Sequence, residues 1–229
     1  MQLVILLLVS IYPILIAYLY IRFSKSSNTI DPTARAEVVR SFSNINLPVF
    51  LGAIAAGVVS TVLAAIVQGA IPIMEAKADS RTNVLFYVFV RIALTEETMR
   101  LFCFILFFVL IKKVFKIELT KHEESACGLT IGLSFASVET ALIAASNSSF
   151  VLLRIITAAP LHGACGERIA AAVTNKPFGI KNIVFFFGAI LLHGFYDAML
   201  LSERTTFIVI AVLLTIMTLI KFAGSNEDK

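Results

Sequence analysis

Charged residues are scarce in this chain. Only 15% of its 229 residues are Asp, Glu, Lys or Arg, whereas 59% are hydrophobic and the mean hydropathy is +0.92. Soluble chains average about 25% charged and about 45–50% apolar residues, so this composition excludes an ordinary soluble domain and a disordered chain. The polar connections are too short for a separate soluble domain. Residues 1–229 are therefore predicted to form a single integral membrane domain.

Cysteine is also rare, and its spacing is not typical of a disulfide framework or a thiolate metal site. Cys103, Cys127 and Cys165 lie in separate apolar segments without a Cys-x-x-Cys pair. We interpret them as packing residues. The N-terminal end lacks the basic region and the small-residue cleavage site of a secretory signal, so the first apolar run is predicted to be an uncleaved span.

Apolar runs long enough to cross a bilayer recur along the chain. A membrane helix needs about 20 such residues at a rise of about 1.5 Å per residue. The predicted fold is an all-α, polytopic transmembrane bundle of about seven spans, at residues 3–22, 47–73, 84–111, 125–145, 150–173, 183–201 and 205–222. The third span is the longest, and we expect it to tilt, protrude or break near its acidic middle.

Lys and Arg are divided unequally between the two sides of this bundle. Twelve lie in one set of alternating connections and only three in the other. The positive-inside rule therefore predicts an external N-terminus and a cytoplasmic C-terminus. The excess of basic residues is explained by this topology, so no nucleic-acid partner is predicted from it. In the cytoplasmic connection 23–46, Asp31 and Pro32 predict the start of an interfacial amphipathic helix; a solvated linker is the alternative.

Ionisable side chains recur near the middle of four predicted spans. An ionisable group at the bilayer centre costs at least about 2.5–3.5 kcal/mol, so such groups face the bundle interior and serve pairing or function. The candidate site residues are Glu96, Glu97, Arg100, Glu139, His162, His193 and Asp197. For the two adjacent glutamates, the structural alternative is an ion pair with Arg100.

Helical spacing predicts which of these side chains share a face. Residues four apart lie on one side of a helix, so Glu96 can pair with Arg100, and His193 points the same way as Asp197. The spacing Gly128-x-x-x-Gly132 permits a close helix approach. Glu139 follows Gly132 by seven residues, so it is expected to face the same packed neighbour.

Carboxylates and imidazoles at one depth can activate water. A glutamate can act as general base while a histidine stabilises the oxyanion, or two histidines and a carboxylate can hold a catalytic zinc ion. The residues alone leave both mechanisms open. They also leave open a proton- or ion-coupled transporter, since acids and histidines at mid-membrane form relays. The absence of an evident inverted repeat of broken helices argues against a transporter.

Four motifs in residues 84–201 resemble those of the PrsW-type intramembrane proteases, which belong to a clan with the type II CAAX-prenyl endopeptidases. They read EETMR at residues 96–100, FASVE at 135–139, PLHG at 160–163 and HGFYD at 193–197. Arg100 stands where this family usually has lysine. Glu139 stands where the prenyl proteases have histidine, which favours the PrsW type.

The resemblance implies an intramembrane endopeptidase that cuts a single-pass membrane protein, such as an anti-sigma factor, in the inner membrane of a prokaryotic cell. It makes Glu96 the first choice for the base, with Glu97 held by Arg100 and with His193 oriented by Asp197. If the enzyme uses zinc, His162, His193 and Glu139 are the expected ligands. The seven-span layout also resembles the Aph subunit of gamma-secretase, so a non-catalytic membrane scaffold or chaperone is the alternative function.

Overall fold

The described part of the chain is helical apart from the short connections at residues 115–120 and 175–179. The computed structural model describes residues 47–70, 85–146 and 151–201, together with Leu15 alone, and no strand occurs in these ranges. The predicted spans 3–22 and 205–222 and the predicted interfacial helix in 23–46 lie outside them, apart from Leu15. The predicted span number and the orientation therefore stay predictions, whereas the all-helical fold class is confirmed.

Five helices are described. Helix α1 spans Leu47–Ala70, and α2 covers residues 85–114. Helix α3 spans Lys121–Ser146, α4 spans Val151–Thr174 and α5 spans Ile180–Leu201. Three of the helical segments are long and apolar enough to cross a membrane, namely Leu47–Ala70, Glu123–Ile143 and Ile180–Leu201. The chain is thus an integral membrane protein.

Helix α2 carries the two adjacent glutamates, and it runs through them without a break. Its α-helical part, Thr95–Val109, is flanked by π-helical segments at Tyr87–Leu94 and Leu110–Val114. Wider helical turns of this kind are rare in proteins, and those that occur are often found at functional sites. The expected break near the acidic residues is replaced by a change of helical pitch directly before them.

Local hydrogen bonds fix where two helices begin. Before α3, Glu123 N donates to Thr120 Oγ1 at 3.3 Å while Thr120 N donates to Glu123 Oε2 at 2.7 Å. This reciprocal arrangement is a capping box. In the first turn of α5, the side chain of Asn182 donates to the carbonyls of Ala172 and Asn175 and accepts from Gly179 N. Asn182 thereby ties the start of α5 to the end of α4.

Helices α3 and α4 approach each other through glycine, as the small-residue spacing predicts. A Cβ built on Gly128 would lie 2.5 Å from the carbonyl oxygen of Gly166, and one built on Gly132 would overlap the carbonyl oxygen of His162. No side chain fits at either position. The two backbones are therefore close at the level of His162, which brings Glu139, seven residues after Gly132, within reach of that histidine.

Replacing Gly132 by alanine is expected to lower the free energy of unfolding by about 1–3 kcal/mol, because the added methyl must push α3 away from α4. The measurement is thermal or chemical unfolding of the purified protein in detergent micelles. Gly188→Ala is the matched control, since a Cβ at Gly188 meets nothing within 4 Å; alanine there should be neutral or stabilising by about 0.5–1 kcal/mol. Equal effects at both glycines would contradict the close contact.

Candidate active site

Helices α2, α3, α4 and α5 bring all seven candidate residues into one polar cluster. Glu97, Arg100, His162 and His193 are at most 1% exposed, although they are charged or polar. Glu96 is 5% exposed, and the side chains of Glu139 and Asp197 are 18% and 13% exposed. The cluster thus has a fully buried part and a rim of three carboxylates.

The buried part is organised by Arg100. Its Nη1 lies 2.5 Å from both carboxylate oxygens of Glu97, and its Nη2 lies 3.0 Å from Nδ1 of His162. The guanidinium also packs over the ring of Phe135, with Cζ 4.2 Å from the centroid. A four-residue spacing predicts that Arg100 pairs with Glu96. In the structure Arg100 pairs with Glu97, three residues earlier, because its Nη2 contacts His162 on α4.

His193 lies between the two glutamates. Its Nδ1 is 2.8 Å from Oε1 of Glu97. On the opposite edge, its Nε2 lies 3.2 Å from Oδ2 of Asp197 and 3.6 Å from Oε2 of Glu96. The expectation that Asp197 orients the ring as an outer acceptor therefore differs from the geometry: Glu97 occupies that position, and Asp197 faces the same nitrogen as Glu96.

His162 stands beside His193 with both ring nitrogens engaged. Its Nδ1 accepts from Arg100, which has only donors, and its Nε2 lies 2.8 Å from Oε2 of Glu139. The two imidazole rings are 4.8 Å apart and nearly perpendicular. Glu139 reaches His162 because it lies on the glycine-lined face of α3, as its spacing from Gly132 predicts.

A cavity of about 380 Å³ leads to the rim of this cluster. Its lining includes the carboxylates of Glu96, Glu139 and Asp197, together with Gln68 of α1 and Arg91 of α2. The lining residues of α1, α3 and α5 lie near the C-terminal ends of those helices. On the predicted orientation, this is the external side of the membrane.

Gln68 and Arg91 are contacts that the sequence analysis does not single out. Gln68 Nε2 donates to Oε1 of Glu96 at 3.0 Å, and Arg91 Nη2 donates to the carbonyl oxygen of Gln68 at 3.0 Å. The available signal is positional: Thr61 and Gln68, seven residues apart, are polar residues on one face of a mostly apolar helix, and both line the cavity.

The oxygen and nitrogen atoms of the cluster can be compared with the ligand spacing that a divalent metal ion requires. Glu96 Oε2 and His193 Nε2 are buried and make no aligned hydrogen bond within the described ranges, which is rare for buried polar atoms, although His193 Nε2 lies within ion-pair distance of both Asp197 and Glu96. Zinc bonds of about 2.0 Å place tetrahedral neighbours about 3.3 Å apart, close to the distances from His193 Nε2 to Asp197 and Glu96. The contact of Nδ1 with Glu97 is the arrangement that orients metal-binding histidines. These residues therefore fit a metal at His193 Nε2.

A wider set of donors also lies close together. One ligand atom each of Glu96, His162 and His193 fall within 4.8 Å of one another. A metal on His162, however, would have to replace either its contact with Arg100 or its contact with Glu139. The shell of His162, His193 and Glu139 expected from the sequence stays a prediction.

Comparison with known protein families identifies the family of this chain. The family model described as PrsW family intramembrane metalloprotease matches residues 46–223, which includes all five described helices. No curated protein and no solved structure matches the chain. Because the family match covers well over half of the sequence, the chain belongs to the PrsW family of intramembrane metalloproteases.

Proposed function

We propose that this protein is a zinc-dependent endopeptidase that hydrolyses a peptide bond in or near the transmembrane segment of a single-pass membrane protein. The observation that carries the proposal is the buried pair of Glu96 Oε2 and His193 Nε2, which lie 3.6 Å apart and make no aligned hydrogen bond among the described residues. A desolvated carboxylate oxygen beside an imidazole nitrogen can hold a water molecule and take its proton.

Each residue of the cluster has its own role in the proposed reaction. Glu96 accepts a proton from the attacking water through Oε2 and passes it to the leaving amine. His193 Nε2 and Asp197 Oδ2 would hold the metal, which supplies Lewis-acid polarisation of the scissile carbonyl when bound. Glu97 holds the His193 ring through Nδ1, and Arg100 neutralises Glu97. The ring of His162 packs edge-on against His193 and bonds to Glu139 at the rim of the cavity.

The position of the cavity supports the proposed substrate class. It lies near one end of the bundle, so an extended stretch of chain leaving a membrane helix can enter it while the helix itself stays in lipid. The family resemblance adds two further proposals: the substrate is an anti-sigma factor, and the enzyme works in the inner membrane of a prokaryotic cell with the cavity facing outward.

The test combines metal analysis with cleavage by the purified protein in detergent, using a panel of single-pass membrane proteins that includes an anti-sigma factor. Wild type should cleave at least one of them and retain about one zinc ion per chain. His193→Ala should lose both properties, because it removes the nitrogen that fits the metal. Leu191→Ala is the control, since Leu191 is 50% exposed on the same helix. Full zinc content and cleavage in His193→Ala would contradict the proposal.

A further inference from the structure

Gln68 makes the only side-chain hydrogen bond that the described residues give to Glu96. Its Nε2 donates to Oε1 at 3.0 Å, from a helix that carries none of the four family motifs. This bond occupies one carboxylate oxygen and leaves the other, Oε2, at 3.6 Å from His193 Nε2. Because the two oxygens of a carboxylate are rigidly linked, holding Oε1 also fixes the direction of Oε2.

Gln68 is itself held in place by the helix that carries Glu96. Arg91 Nη2 donates to the main-chain carbonyl of Gln68 at 3.0 Å, and the Arg91 guanidinium lies over the ring of Tyr87 at 5.3 Å. Both residues belong to the π-helical segment that precedes Glu96. Helices α1 and α2 are therefore joined twice through one residue, by its main chain to Arg91 and by its side chain to Glu96.

The two adjacent glutamates thus have chemically different partners. Glu97 contacts a guanidinium cation, whereas Glu96 contacts a neutral amide. A neutral donor orients a carboxylate without placing a positive charge beside it. This is the arrangement that a proton-accepting carboxylate requires, since a permanent ion pair would compete with the proton.

We propose that Gln68 is a positioning residue for proteolysis, which aims Oε2 of Glu96 at the edge of His193. The inference rests on the proposed function of Glu96 as the proton acceptor. Misplacing a reacting group by about 1 Å can cost about 10²-fold in rate.

The experiment replaces Gln68 by methionine, which keeps the length of the side chain and removes the donor. Ile66→Met is the matched control, because it introduces the same side chain at a 61% exposed position of the same helix. The first readout needs neither substrate nor metal. In infrared spectra, the carboxylate band of Glu96 is identified by its loss in Glu96→Gln. It should shift in Gln68→Met and stay in place in Ile66→Met.

The second readout is the rate of cleavage of whichever panel substrate the wild type cuts. Gln68→Met should lower kcat by up to about 10²-fold, with KM and the unfolding temperature close to those of Ile66→Met. An unshifted band overturns the inference whether or not the protein is a protease. A shifted band with unchanged kcat overturns the positioning role. If Glu96→Gln cleaves at the wild-type rate, the proposed function of Glu96 fails first, and the infrared result then reports only on the contact.

Discussion

Replacing Glu96 by glutamine is expected to lower the rate of peptide cleavage by about 10²–10⁴-fold, the usual contribution of a positioned general base. The amide keeps the shape of the side chain and cannot take a proton at neutral pH. Gln68 can still donate to the remaining amide oxygen, so folding should be unaffected. The measurement is kcat for a cleaved single-pass substrate, with circular dichroism and unfolding temperature as checks on structure.

Two further variants test the role assigned to Glu96. Asp197→Asn should cost less activity than Glu96→Gln, because the asparagine oxygen can still face His193 Nε2. Glu97→Gln should act mainly through the orientation of His193, whose Nδ1 it contacts at 2.8 Å. If Glu96→Gln and Glu97→Gln both cleave a true substrate at the wild-type rate, the glutamates are structural. A scaffold function like that of the Aph subunit then becomes the better explanation.

Replacing Arg100 by methionine is expected to lower the free energy of unfolding by about 3–5 kcal/mol. The change leaves the fully buried Glu97 carboxylate without its cation, and breaking a buried pair from one side costs about this much. Unfolding in detergent micelles measures the loss. Lys113→Met is the matched control, since it removes a cation from an exposed position of the same helix.

The double variant Glu97→Gln with Arg100→Met separates charge from packing. It removes both charges together, so it should be more stable than Arg100→Met alone, because no uncompensated charge stays buried. Equal stability of the single and the double variant would show that the guanidinium matters through its packing on Phe135 and its contact with His162.

The positions of the helices could be predicted from hydropathy, and the exact starts of α3 and α5 could not. Helix α3 begins at Lys121, earlier than the predicted 125, because the Thr120–Glu123 capping box stabilises its charged first turn. Helix α5 begins at Ile180 instead of 183, where Asn182 binds the preceding turn. Both differences come from side-chain hydrogen bonds in polar residues, which an apolar-run criterion does not detect.

The convergence of these side chains could be predicted from the cost of placing ionisable groups in a membrane, but the pairing within the cluster could not. Spacing along one helix correctly indicates that Glu139 faces the helix that packs on Gly132. It cannot decide whether Arg100 pairs with Glu96 or Glu97, because His162 on another helix determines where the second guanidinium nitrogen goes. Gln68 was missed for the same reason: a single amide in an apolar helix has no partner in its own sequence neighbourhood.

The π-helical segment of α2 has a consequence for the register of the chain. A π-helical hydrogen bond joins residues five apart, whereas an α-helical bond joins residues four apart. The segment Tyr87–Leu94 therefore holds one residue more per hydrogen-bonded turn ahead of Glu96. A chain one residue shorter between Arg91 and Glu96 could close the turn with ordinary α-helical bonds and keep both glutamates in place. It would rotate Arg91 by about 100° around the helix axis, away from Gln68. A single-residue deletion between Arg91 and Glu96 would thus remove the Arg91 link between α1 and α2, leave the Gln68 side chain to join α1 to the Glu96 carboxylate, and keep every motif residue unchanged.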